Sequence, residues 1–148
     1  MGAMIALIQR VTHAEVRVGE RILGTIAHGI AALVGVRRTD EKSDADRLIE
    51  RLLGYRIFAD DAGRMNLDLA AVGGGLLLVP QFTLAADTAH GMRPGFSTAA
   101  PPEQARGLFD YLVERAGARY GVVAAGKFGA HMHLSLINDG PVTFWLET

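Results

Sequence analysis

Two stretches of this chain carry no polar side chain at all. Residues 30–36 read Ile-Ala-Ala-Leu-Val-Gly-Val and residues 76–79 read Leu-Leu-Leu-Val. A strand half-exposed to water alternates apolar and polar residues, so an unbroken apolar strand must be covered on both faces. That requirement is the strongest constraint on the fold. Only two segments have the period to supply helical cover. Ala45, Leu48, Ile49, Leu52 and Leu53 fall on one helix face, as do Ala105, Leu108, Phe109, Leu112 and Val113. Two helices cannot cover both faces of a sheet this size. The expected fold is therefore α/β (α+β), a single domain of two packed β layers with the two amphipathic helices on one outer face.

The remaining strands follow from pattern. Residues 4–11 are rich in β-branched and apolar side chains, and Ala14, Val16 and Val18 alternate with Glu15 and Arg17. Gly19-Glu20 then turns the chain into residues 21–26, predicting a hairpin. Residues 56–58 form a candidate short strand, and three strand-like pieces close the chain at 120–125, 131–138 and 142–146. Ser43 with Asp46 suggests the start of the first helix. Pro101-Pro102 opens the second, and Gly117 offers its stop. Residues 85–100 read as a polar loop. The domain is expected to span residues 4–148, with Met1 to Ala3 a cloning remnant or an alternative start.

Composition removes several kinds of chemistry. The 148 residues include no cysteine, which excludes disulfides, thiol nucleophiles, Cys-ligated zinc and iron–sulfur clusters. A formal charge of −1 argues against coating long stretches of nucleic-acid backbone, though not against gripping a short end. The N-terminus has no signal-peptide pattern, and the apolar stretch 22–36 contains Thr25, His28 and three glycines, so no membrane span is expected.

Most polar motifs have ordinary structural explanations. Gly73-Gly74-Gly75 lacks the Gly-Lys-Ser/Thr of a phosphate loop and reads as a tight turn. Asp60, Asp61 and Asn66 lack calcium-loop spacing. His131 and His133 share one face of a strand, but zinc usually takes three or four ligands and no carboxylate stands nearby at a useful spacing. His13, His28 and His90 are isolated. No metal and no cofactor are expected.

Two segments ask for more. Gln81 and Thr83 place hydrogen-bonding groups at the C-terminal end of an apolar strand, where α/β folds gather ligands. An ordinary strand end, with Phe82 in the core and Thr83 in a turn, is the competing reading. Asn138-Asp139-Gly140-Pro141-Val142-Thr143 concentrates turn formers between two apolar runs. It is either a simple hairpin or a rigid prong presenting two carbonyls.

Together these segments resemble the D-aminoacyl-tRNA deacylase family over essentially the whole chain from Met4. The likeness extends to Gln9-Arg10-Val11, Arg56-Ile57-Phe58, Met65-Asn66-Leu67, Arg93-Pro94 with Phe96-Ser97, Ala100-Pro101-Pro102 and Phe128-Gly129-Ala130. The resemblance implies a cytoplasmic homodimeric hydrolase. It would cleave the ester between a D-amino acid, or mischarged glycine, and the terminal adenosine of tRNA. In the family the Gly-Pro prong is cis and enters the partner subunit's site. Carried over, the carbonyls of Gly140 and Pro141 would hold the substrate amino group and occupy the space an L side chain needs. Gln81, Phe82 and Thr83 would line the catalytic pocket mainly through backbone groups, with Phe128, Gly129 and Ala130 among the substrate-binding residues. Arg10 would fix the prong, and Arg93 and Lys127 are candidate tRNA contacts.

Pro80 departs from the pattern, since the family's motif usually begins with serine. A related deacylase group with relaxed chiral rejection and a trans Gly-Pro also carries proline there, so relaxed-chirality editing is an alternative. A non-catalytic module binding a nucleic-acid end is another, and a metal-dependent hydrolase using His131 and His133 a third. Two catalytic forms remain open. Thr83 could be a nucleophile, for which the sequence places no base. Otherwise backbone N–H groups stabilise the oxyanion while water attacks with help from the ribose 2′-hydroxyl.

Overall fold

A computed structural model describes residues 3–148; Met1 and Gly2 lie outside the described residues. Strand β1 (Ile5–Val18) organises the fold because it is long enough to belong to two halves of one sheet. Its first half, from Ile5 to Val11, pairs antiparallel with β3 (Gly29–Gly35). Its second half, from Ala14 to Val18, pairs with β2 (Arg21–Ile26) through the expected turn, where Gly19 adopts φ +58°. Along its other edge runs β8 (His133–Glu147). Strand β6 (Gly75–Pro80) lies parallel to β3, and β7 (Val123–Ala125) parallel to β6.

The two expected layers are two halves of this single six-stranded sheet, which curls over itself. Gly24 on β2 faces Ala124 on β7 so closely that an added Cβ would sit 3.1 Å from the alanine methyl. Alternation along the two all-apolar strands then explains their composition. Ala31, Leu77 and Val79 point into a core inside the fold of the sheet, with Val11, Ala14, Val16 and Ile26. Ile30, Ala32, Val34, Leu76 and Leu78 point the other way, onto helices α1 (Lys42–Gly54) and α3 (Pro102–Arg119). The helix faces read from periodicity are the buried ones: Ala45, Leu48, Ile49 and Leu52, and Ala105, Leu108, Phe109 and Leu112. Fully burying each large side chain contributes about 1.5–3 kcal/mol. No described helix is long and apolar enough to cross a membrane.

Several boundaries differ from expectation. Helix α1 is capped by Glu41 and Asp44, not Ser43 and Asp46. Asp44 accepts from the Glu41 N–H at 2.8 Å and also meets Arg47 and the Thr148 hydroxyl, so tertiary partners favour the earlier start. Helix α3 passes through Gly117 and ends at Arg119, because buried Ala116 keeps the last turn on the core. The short strand β4 is Phe58–Ala59, paired with an unforeseen β5 (Met65–Leu67). A one-turn helix α2 (Leu69–Val72) ends on Gly73 at φ +64°, which explains the start of the triple glycine.

The largest difference concerns the C-terminal strands. The pieces expected at 131–138 and 142–146 belong to one strand, β8, and its turn formers make no hairpin. Val11 pairs with Asn138 and Gln9 with Thr143, so residues 139–142 form a bulge opposite Arg10 alone, with Gly140 and Pro141 outward and Val142 returning to the core.

Candidate active site

The first constellation is built at the C-terminal end of β6. Pro80 pairs with Val34, and the Gln81 N–H then donates to the Val34 carbonyl at 2.7 Å. Proline has no N–H to donate, and it stands beyond the last β6–β7 pair, Leu78 with Ala125, where the Gly126 N–H still donates to the Leu78 carbonyl at 2.8 Å. The chain leaves the strand in a 3-10 turn, Phe82–Ala85, whose first bond runs from the Leu84 N–H to the Gln81 carbonyl (3.2 Å). The N–H groups of Phe82 and Thr83 precede that bond, and such donors have no partner within a helix. Gly35 makes the approach possible: a Cβ there would lie 2.9 Å from Leu84 Cβ.

Phe82 is not in the core. It is 53% exposed and leans on Phe96, itself 43% exposed, with ring centroids 5.5 Å apart. Gln81 Nε2 donates to Thr83 Oγ1 at 2.6 Å. Across from them stand Phe128, Gly129 and Ala130, in a turn closed by the Ala130 N–H on the Lys127 carbonyl (3.2 Å). Gly129 has φ +81°, a conformation side-chain-bearing residues rarely adopt. Ala99, Ala100, Pro101 and Pro102 close the third side, leading into α3, and the cleft encloses about 580 Å³. That volume suits a small-molecule ligand.

Among the described residues no aspartate, glutamate or histidine lines the cleft, and Arg38 is its one charged side chain. Among the described residues, the Thr83 hydroxyl is hydrogen-bonded to Gln81 and to no base. The chemistry available is therefore binding by apolar and aromatic walls, with the first N–H groups of the 3-10 turn at its edge.

The second constellation surrounds the bulge of β8. The Gly140–Pro141 peptide is cis, and both residues are exposed. Behind them Arg10 donates from Nε to the Asp139 carbonyl (2.9 Å) and from a terminal nitrogen to the Ile57 carbonyl (2.8 Å). Its Nε also lies 3.3 Å from the Asp139 carboxylate. Asn138 Nδ2 donates to the carbonyls of Arg10 (3.1 Å) and Val142 (3.0 Å), and Val142 is buried in the core. A Cβ on residue 140 would overlap Asn138 Oδ1 and the Val142 amide nitrogen, so only glycine fits.

The structure thus brings Gln81 and Phe82 together with Phe128, Gly129 and Ala130 around one cleft, with Thr83 bonded to Gln81. It puts Arg10, Gly140 and Pro141 elsewhere. Arg10 is level with Ile30 and hence Leu76, whereas the cleft begins at Pro80. That separation is four residues along the strand and two strands across for Arg10, and one strand more for the β8 bulge, roughly 20 Å from cleft to bulge.

His131 and His133 stack at 5.1 Å, and both are exposed. Among the described residues no group of three or more His, Cys, Asp or Glu side chains is placed to hold a metal, so the metal-hydrolase reading finds no third ligand. Arg93 and Lys127 do not line the cleft; Arg38 and Phe96 do, and were not among the expected site residues. A usable signal existed for Arg38, which follows the C-terminal end of β3 beside the parallel end of β6.

Comparison with known proteins agrees over nearly the full chain. The family model described as D-Tyr-tRNA(Tyr) deacylase matches residues 7–147. A D-aminoacyl-tRNA deacylase of Thioalkalivibrio sulfidiphilus is 62% identical over 144 residues, covering 97% of each chain. One from Burkholderia mallei is 59% identical over 150 residues, covering 98% of this chain and 99% of its own. Among solved structures, one named c-Myc DNA unwinding element binding protein superposes with a TM-score of 0.92 at 35% identity, covering 97% of this chain and 98% of its own. Another, described as a probable eukaryotic D-amino acid tRNA deacylase, has a TM-score of 0.85 at 14% identity, covering 99% of this chain and all of its own; it supports the fold alone. With a family model spanning all but the chain's ends and relatives this similar, the chain belongs to the D-Tyr-tRNA(Tyr) deacylase family.

Proposed function

We propose that this protein hydrolyses the ester between a D-amino acid and the 3′-terminal adenosine of tRNA, in the cytoplasm, as a homodimer. In that dimer the Gly140–Pro141 bulge of one copy enters the Gln81–Thr83 cleft of the other. The observation that carries the reading is the arrangement of the two constellations. An apolar cleft at Pro80 and an exposed, side-chain-braced bulge at Gly140–Pro141 lie at opposite ends of the paired strands, so they do not meet within one copy and a second copy would supply the missing half. Such a composite site has what the reaction needs. The carbonyls of Gly140 and Pro141 would accept from the substrate's α-ammonium, and the N–H groups of Phe82 and Thr83 would receive the carbonyl oxygen as it becomes an oxyanion.

Selectivity is the harder task, because L-aminoacyl-tRNA is the abundant species. A thousandfold preference requires about 4 kcal/mol. A missing methylene contact supplies only about 1–3 kcal/mol. A steric block against fixed backbone can exceed that, and it acts only on the wrong enantiomer. Glycine has no side chain to reject, so glycyl-tRNA is a substrate in this scheme.

The test is deacylation of matched D-alanyl-, L-alanyl- and glycyl-tRNA by wild type and Pro80→Ser. The expected result is rapid loss of the D and glycyl esters with the L ester spared. Equal rates on D- and L-alanyl-tRNA would overturn the prong, and L-activity removed by Pro80→Ser would favour relaxed-chirality editing instead. Thr83→Ala should retain turnover close to wild type, since it keeps the backbone N–H; complete loss with the fold intact would make Thr83 the nucleophile.

A second reading has one observation in its favour: the similar solved structure named for binding a DNA unwinding element. On that reading the cleft binds a nucleic-acid end without turnover. Stoichiometric binding of D-tyrosyl-tRNA with no release of D-tyrosine would support it.

A further inference from the structure

Two arginines border the cleft, and among the described residues neither is paired with a carboxylate. Arg38 belongs to its lining, and Arg106 lies over the ring of Phe128 with its guanidinium carbon 5.2 Å from the centroid. Among the described residues neither is within ion-pair distance of a carboxylate, in contrast to Arg10, Arg17, Arg37 and Arg47. Glu103, in the first turn of α3, lines a separate groove with Lys42 and Tyr111. The cleft rim is therefore positive over an otherwise uncharged interior.

The backbone around Arg38 is held in place. Its N–H donates to the Thr98 carbonyl (3.1 Å), and its carbonyl accepts from Gln104 Nε2 (2.9 Å). Its own Nε donates to the Ser97 carbonyl at 2.9 Å, which leaves the two terminal nitrogens available as a fork. Arg106 is steered from below by Phe128 and Gly129; a Cβ on residue 129 would come within 3.3 Å of its guanidinium.

We infer that Arg38, seconded by Arg106, holds the phosphodiester that joins the terminal adenosine to the preceding nucleotide. This rests on the deacylase reading above. With the ester at the Phe82–Thr83 backbone, the same ribose carries that phosphate outward to the cleft rim. A guanidinium fork matches two phosphate oxygens and needs no competing carboxylate nearby. The pair are positioning residues: they distinguish an ester on an RNA end from the same ester on a free nucleoside.

The experiment compares D-tyrosyl-tRNA with D-tyrosyl-adenosine, which lacks the phosphate. Arg38→Gln should raise KM for the tRNA about tenfold more than KM for the adenosine ester, with the split in KM rather than kcat. The slope of log KM against log salt for the tRNA should fall by about 0.7, the value for one lost single-strand phosphate contact. Arg38→Lys should recover part of the loss, because lysine keeps the charge without the fork, and Arg106→Gln should act in the same direction more weakly. Equal KM shifts on the two substrates, or an unchanged salt slope, would overturn the inference. A wild type inert toward both substrates would instead break the deacylase reading on which it rests.

Discussion

Proline interrupts a strand at each of the two constellations, with opposite results. Pro80 is buried and in register with Val34. The strand ends there, and the chain turns away into the 3-10 turn at the edge of a concavity. Pro141 is exposed, in a bulge pushed out of register, and carbonyl acceptors crown a convexity. Their support differs in the same sense. The cleft is walled by apolar side chains and aromatic rings that lean on one another. The prong is held from behind by Arg10 and Asn138, which together make four hydrogen bonds to backbone carbonyls. On the proposed function this difference fits the two tasks, since a receptor can adapt to different side chains whereas a gauge for one enantiomer must not yield.

This contrast is easiest to break at Gly140. Gly140→Ala adds a carbon that overlaps Asn138 and the Val142 amide, so the bulge has to move. Turnover of D-tyrosyl-tRNA should fall by about a hundredfold or more, the usual consequence of misplacing a positioning group by an ångström. Circular dichroism should still report a folded chain, because residues 139–142 lie outside the paired register. Retained activity would mean that the prong need not be rigid.

Arg10→Gln sharpens the comparison by loosening the prong without adding bulk. The side chain is only 16% exposed and donates to two backbone carbonyls, of Asp139 and Ile57. Losing charged hydrogen bonds of this kind costs about 1.5–3 kcal/mol each. We expect deacylation to drop about tenfold and discrimination against L-alanyl-tRNA to weaken with it. A fall in thermal stability with discrimination intact would make Arg10 structural only.

The smallest effect lies behind the cleft, in the turn that presents Arg38. Asp40 is buried, and its Oδ2 accepts from the Arg37 N–H at 2.6 Å. Burial pushes its carboxyl above the usual 3.8, and the neighbouring Asp44 adds to the rise, against the backbone hydrogen bond from Arg37. A raised carboxyl favours the fold while protonated. Its contribution is full below pH 3.8 and is lost as pH climbs through the raised value. Urea midpoints should decline across that window in wild type more than in Asp40→Asn. Parallel curves for the two proteins would remove Asp40 from the account.

Much of this was legible in the residues. The all-apolar strands required cover on two faces, and the helix faces followed from spacing. Gln81–Thr83 and Gly140–Pro141 stood out because polar and turn-forming groups sat where apolar strands led into them. Other features were not legible for physical reasons. The run from Asn138 to Pro141 has the chemistry of a hairpin, yet the strand continues because β1 pairs with it on both sides of the bulge. Phe82 looked like core by hydrophobicity, but the 3-10 turn carries it outward to Phe96. Ser43 looked like a cap, but Asp44 had partners at the far end of the chain.

The amino-acid sequence by itself determined the kinds of element, the buried face of each, the glycines that backbone contact demands, and the family. Those depend on period, turn chemistry and residue identity, which act over a few positions. Tertiary structure alone decided that Phe96 joins Gln81 at one cleft while Arg10 and Gly140 assemble about four residues down the sheet. Strand register is set by how distant apolar faces pack into two cores at once, and no local stretch of sequence carries that information.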